Sequence, residues 1–208
     1  MKRLICIAVL ALAGLSMAVA QTENTPDEKP APAPEQPDTE LDYQPIRKGD
    51  QFIKIDVGIS KGLFYLAPEG IVTETNLKLG GTASLGFSRF ITNKIALGGE
   101  MSFSFNTTIG SNLYFYLPLT FKGTYELVYR RIHVPLSLGA GFAFQTHNHN
   151  NYFGPILKPE VGVYFQYNPE WTIGLITAWN CIPQFYDNSS FNRTGNILDV
   201  KAGIRYHF

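Results

Sequence analysis

The sequence predicts an all-β fold, a closed antiparallel up-and-down barrel of about eight strands, and three observations carry that expectation. From Gln51 onward apolar and polar residues alternate with a period of two, in successive segments of roughly a dozen residues. The connections between these segments alternate between short and long. No segment after the N-terminal twenty residues has helical periodicity or an apolar run long enough for a membrane helix.

The N-terminus comes first. Lys2 and Arg3 precede the apolar stretch Leu4 to Leu15, and Ala18-Val19-Ala20 supplies a small-x-small cleavage site. Residues 1–20 are therefore predicted to be a secretory signal peptide. Cys6 lies before most of the apolar stretch, the wrong side for a lipidated cysteine. Two of the 17 basic side chains leave with the signal, so 15 face 17 acidic ones, and nothing in that balance favours nucleic acid. Cys181 alone remains, which allows neither an internal disulfide nor a cysteine metal framework. Residues 21–48 carry Pro26, Pro30, Pro32, Pro34, Pro37 and Pro45 among Ala, Glu and Asp, with Leu41, Tyr43 and Ile46 as the apolar anchors. That composition predicts a disordered arm on the periplasmic side.

Residues 49–208 form the predicted barrel. In the first segment Ile53, Ile55, Val57 and Ile59 oppose Lys54, Asp56, Gly58 and Ser60. The second sets Leu77, Leu79, Ala83, Leu85 and Phe87 against Lys78, Gly80, Thr82, Ser84 and Gly86; the third sets Ile95, Leu97, Met101, Phe103 and Phe105 against Gly98, Glu100, Ser102 and Ser104. In the fourth, Leu113, Phe115, Leu117, Leu119 and Phe121 oppose Tyr114, Tyr116, Thr120 and Lys122. The fifth runs from Ile132 to Gln145 and the sixth from Leu157 to Tyr167, with Lys158, Glu160 and Tyr164 on the polar face of the sixth. The seventh has Trp171, Ile173, Leu175 and Trp179 on one face and Ile176 out of pattern. The last sets Leu198, Val200, Ala202, Ile204, Tyr206 and Phe208 against Asp199, Lys201, Gly203, Arg205 and His207.

Alternation alone fits two barrels, a membrane barrel with its apolar face outside and a soluble lipocalin-like binding barrel with it inside. The polar face is rich in Gly and Ser, which suits a crowded interior. Aromatic residues gather at strand ends: Phe52, Phe87, Phe121, Phe165, Tyr167, Trp171, Tyr206 and Phe208 toward the termini, and Phe64, Phe103, Phe105, Phe115, Phe142, Phe144 and Trp179 toward the far side. Two such girdles mark a membrane barrel. Connections on the terminus side are short (91–94, 126–131, 168–170), and those on the far side are longer (66–74, 106–111, 146–152, 184–194), as periplasmic turns and external loops are. Against this pattern stand Pro118, Pro135, Pro155 and Pro159, which lie inside predicted strands and each remove a ladder hydrogen bond.

The C-terminus carries a resemblance. Ile204, Tyr206 and Phe208 continue an alternation to a terminal aromatic, which looks like the assembly signal of bacterial outer-membrane proteins. With the signal peptide and eight segments, residues 49–208 resemble the small outer-membrane barrel family that includes the outer membrane protein A transmembrane domain and proteins X and W. The resemblance implies bacterial outer-membrane localisation, contact with outer-membrane lipid and with the barrel assembly machinery, and a monomer.

Function is read from the interior. Lys54, Lys78, Lys122, Lys158, Lys201 and Arg205 face Asp56, Glu100, Glu160 and Asp199 across a lumen that eight strands leave just wide enough for side chains. A charge network of Lys54, Asp56, Glu100, Lys158, Glu160, Asp199 and Lys201 is therefore expected to close it. This predicts a non-enzymatic barrel without cofactor or metal, with external loops for a surface ligand or envelope integrity. The alternative is a narrow or gated pore for small solutes, small apolar ones among them. A lipid-modifying enzyme would need a nucleophile, base and carboxylate, for which Ser189 or Ser190, His147 or His149, and Asp187 are the candidates. His147 and His149 alone are too few for a metal centre.

Overall fold

The computed structural model describes residues 45–68, 70–110, 112–147, 150–185 and 192–208. The expected signal peptide, most of the expected arm, and Asn148, His149, Asp187, Ser189 and Ser190 lie outside the described residues. Among the described residues nine strands follow in chain order: β1 (Gln51–Leu66), β2 (Val72–Glu74), β3 (Gly80–Phe90), β4 (Ile95–Thr107), β5 (Leu113–Tyr129), β6 (Ile132–His147), β7 (Asn150–Gln166), β8 (Trp171–Gln184) and β9 (Arg193–His207). Eight of them make the wall as sequential antiparallel neighbours, and β1 pairs with β9 to close it. Short β2 pairs only with the end of β1, from Phe64↔Glu74 to Leu66↔Val72. The closing seam continues to the last residue, where Phe208 N–H donates to Gln51 O at 3.0 Å and Gln51 N–H to Phe208 O at 3.2 Å. Closure of β1 on β9 pairs the two outermost wall strands with each other, the condition for a sheet to cross lipid.

The two rows of each strand separate as the alternation predicts. Ile55, Leu85, Met101, Leu119 and Phe142 lie in register on successive strands. All five are exposed, Leu119 by 63 %. An apolar band of this extent far exceeds the largest patches that soluble proteins leave in water. It faces hydrocarbon, and the soluble lipocalin-like alternative, with its faces reversed, is overturned. Trp171, Tyr206 and Phe208 lie in a row along the terminus end, with ring centroids 4.9 and 6.0 Å apart. At the far end Phe142 stacks on Phe153 at 5.3 Å.

Several local expectations change. Phe52 is not part of a girdle: it is buried, its ring 5.7 Å from Phe90 and beneath Arg205, because it shares parity with Lys54. Leu77 packs on the interior cluster while Lys78 is exposed, because regular alternation in this segment begins only at β3. The expected connection 126–131 shrinks to Arg130 and Arg131, with Arg130 at a positive φ of 53°. Glu126 thereby joins β5 and points inward. The expected loop 146–152 is mostly strand, since β6 runs to His147 and β7 starts at Asn150. The expected arm ends sooner than residue 48: Ile46 packs on Phe52, Phe90 and Ala96, and Gly49 N–H donates to Phe90 O at 2.8 Å. Ile176, out of pattern in the sequence, is a buried lumen residue.

The prolines interrupt the ladders. Paired register skips at Pro118 between β4 and β5, at Pro135 between β6 and β7, and at Pro159 between β7 and β8. Beyond Leu157↔Cys181 the β7–β8 register does not resume; carried on, it would set Pro155 opposite Pro183. Neither proline has an N–H to give there. Tyr152 spans the seam instead, its hydroxyl donating to Pro183 O at 3.2 Å and accepting from Phe185 N–H at 2.9 Å.

Candidate functional site

The lumen is built by an arrangement of long charged residues opposite small ones. Lys54 pairs with Gly86, which pairs in turn with Glu100. Lys122 lies between Gly98 and Gly139, and Gly139 is followed by Lys158. Asp56 has Ser84 on one side and Gly203 on the other, and Lys201 lies opposite Gly58. Each glycine leaves room for its neighbour to turn across the barrel rather than stand against the wall. At Gly203 an added Cβ would overlap Asp56 Oδ1, so the carboxylate would have to leave its place.

At mid-height these chains meet. Glu100 binds Lys54 and Lys122, both at 2.6 Å, and Lys158 at 2.5 Å, with Lys201 at 3.8 Å. Glu160 contacts Lys122, Lys158 at 3.3 Å and Lys54 at 3.6 Å. Asp56 takes Lys54 at 3.0 Å and Lys201 at 3.6 Å. Hydroxyls complete the shell: Ser84 donates to Asp56 at 2.7 Å and accepts from Lys201 at 3.0 Å, Lys158 donates to Ser102 at 2.8 Å, and Tyr164 donates to Asp56 at 3.2 Å. The space left among Lys54, Glu100, Lys122 and Arg205 is about 10 Å³, no more than one water needs.

Two smaller layers flank this one. Toward the termini, Arg205 donates to Glu126 at 2.8 Å and lies 3.9 Å over the Tyr164 ring, with His133 3.6 Å from Glu126. Toward the far end Asp199 accepts from Asn180 at 2.9 Å and from Tyr116 at 3.3 Å. Above it Tyr114, Tyr116, Ala143, Ile156, Ile182 and Ile197 form an apolar layer. Among the described residues the buried charges balance, with Lys54, Lys122, Lys158, Lys201 and Arg205 against Asp56, Glu100, Glu126, Glu160 and Asp199.

Of the seven network residues expected from sequence, Lys54, Asp56, Glu100, Lys158, Glu160 and Lys201 come together. Asp199 does not reach a lysine: it belongs to the tyrosine–asparagine layer beyond. Lys122 is central, and the Glu126–Arg205 pair was missed because Glu126 reads as a turn residue. Parity alone would have found it: 126 shares the inward face with 122 and 124 once β5 is allowed to run on. The candidate hydrolase residues cannot be assembled from the described residues. Among those residues no cluster of three or more His, Cys, Asp or Glu is placed to hold a metal.

The comparisons fit this architecture. A protein-family model matches residues 27–206. An uncharacterized protein of Treponema pallidum (strain Nichols) is 34 % identical over 187 residues, covering 85 % of this chain and 85 % of that protein. A second, also uncharacterized and from the same strain, is 28 % identical over 141 residues, which is 61 % of this chain and 48 % of that protein. Among solved structures, Neisserial surface protein A matches with a TM-score of 0.60 at 12 % identity, covering 77 % of this chain and 100 % of that one. The outer membrane protein OprG of Pseudomonas aeruginosa matches with a TM-score of 0.53 at 12 % identity, covering 80 % and 99 %. At such identities the likeness is one of fold, a small eight-stranded barrel of the outer-membrane type. The chain belongs to the family whose model spans residues 27–206 and which the 34 %-identical Treponema pallidum protein represents.

Proposed function

We propose that the protein is a non-enzymatic integral outer-membrane barrel whose lumen is sealed by its own charged side chains. Its role is then in envelope integrity or in surface interaction through the far-end connections. The N-terminal arm and C-terminus are periplasmic in this reading, and the terminal Ile204, Tyr206 and Phe208 engage the assembly machinery. The observation that supports the seal is the balanced set of buried charges, with a cavity of only about 10 Å³ among Lys54, Glu100, Lys122 and Arg205. An ion crossing this layer would have to displace several buried pairs at once. Planar-bilayer recording of the refolded protein tests it. The expected record shows no discrete conductance steps; steady, salt-dependent steps from the unmodified protein would favour the narrow pore.

A further inference from the structure

We propose that the notch beside the end of β5 is the docking site of the chain's own residues 40–44, which add there as a short antiparallel strand. β5 outruns one neighbour: its register with β4 ends at Ile95↔Tyr125, whereas its register with β6 continues to Tyr129↔Ile132. The last bond on the β4 side runs from Glu126 N–H to Lys94 O at 2.7 Å. Amide directions alternate along a strand, so Val128 N–H and C=O point to the same side, past the start of β4 and into the notch. Among the described residues nothing pairs with them there. An unpaired edge of this kind is a template for an added strand.

The notch is a formed cavity of about 290 Å³. Leu127, Tyr129 and Ile132 give it exposed apolar sides. Its rim is basic: Lys94 lines it, Arg130 turns the hairpin at its end, and Lys48 N–H donates to Asn93 Oδ1 in its wall at 3.0 Å. Glu126, the carboxylate in its lining, is buried and held by Arg205 at 2.8 Å. The occupant these groups fit is extended, apolar on one face and acidic on the other.

Residues 40–44 lie outside the described residues, and their sequence meets that description. Glu40 and Asp42 alternate with Leu41 and Tyr43. The segment ends at Pro45, which lines the notch, and a residue before proline, here Gln44, is biased toward extended backbone. At about 3.4 Å per residue, five residues cover the overhanging edge. Attachment at Pro45 gives the segment an effective concentration on the order of millimolar, an advantage that no free peptide has. Pro45 and Ile46 also border a second cavity, of about 300 Å³, lined by Asp50 and Glu170 and by no lysine or arginine among the described residues. Those carboxylates repel Glu40 and Asp42, so charge selects the β5 side.

The test is amide hydrogen exchange, followed by NMR on the full chain from Gln21 refolded in phosphocholine micelles. Slow exchange is expected at Val128. Glu40→Lys together with Asp42→Lys should speed it about five-fold, the factor expected for one lost hydrogen bond. Exchange at Val128 unchanged by this double reversal would overturn the proposal; detergent covering the edge gives that result. Crosslinking reads which side the segment takes. In a Cys181→Ser background, Tyr43→Cys is combined with Leu127→Cys or, at the second cavity, with Glu170→Cys. Disulfide yield under mild oxidation should be several-fold higher for the pair on β5, and equal yields would overturn the assignment. If Leu127→Cys does not refold, the exchange measurement, made on an unaltered barrel, decides alone.

Discussion

Glu100→Gln is the sharpest test of the sealed lumen, because it keeps the side-chain volume and deletes one charge. In the structure Glu100 holds three ammonium groups within 2.6 Å and a fourth at 3.8 Å. After the change four lysines share Asp56 and Glu160, and the cavity beside Glu100 holds about 10 Å³. Removing one partner of a buried pair costs about 3–5 kcal/mol, and three direct partners set the expectation at the upper end of that range. Urea unfolding of protein refolded into lipid vesicles measures it, followed by the fluorescence of Trp171 and Trp179, which both lie on the outer surface. Pairing the change with Lys122→Met restores the charge balance and should recover about 1–3 kcal/mol, the size of coupling expected between contacting residues. Glu74→Ala, on exposed β2, should leave the midpoint where it is. A Glu100→Gln protein as stable as the parent and as non-conducting would refute the reasoning.

Three further outcomes follow from the same geometry. Leu119→Lys, in the middle of the exposed apolar row, should cost roughly 2–4 kcal/mol of folding free energy in bilayers; refolding indifferent to it would mean that this face does not meet lipid. Gly203→Ala, which drives a methyl group into Asp56, should cost about 1–3 kcal/mol by overpacking, while Gly110→Ala, with only Asn112 nearby at 3.6 Å, should be silent in the same urea titration. Deleting Phe208 removes a terminal girdle ring and the last pair of seam hydrogen bonds; surface labelling in cells should fall, and normal levels would separate the terminal aromatic from assembly.

The sequence by itself determined the class, the strand number and the two faces, because a period of two survives any choice of register: Ile55 and Leu85 point outward and Asp56 and Ser84 inward wherever their strands start. It also determined that the interior carries charge, since Lys54, Glu100, Lys158 and Lys201 share the inward parity. It did not determine strand length where turn-like composition lies inside a hairpin, so Glu126 and the segment from Thr146 to Tyr152 read as connections although they pair as wall. Nor did it determine partners. Which lysine reaches which carboxylate depends on the stagger between strands, and a shift of two residues keeps every face and changes every pair. Asp199, two residues from Lys201 on the same face, is thereby raised to Tyr116 and Asn180 and out of reach of the lysines. The far-end mouth has the same origin: Tyr65 on β1, Gln145 on β6 and Gln184 on β8 line one cavity only once the sheet has closed. Parity is a local property of the chain, whereas stagger and closure are properties of the whole sheet.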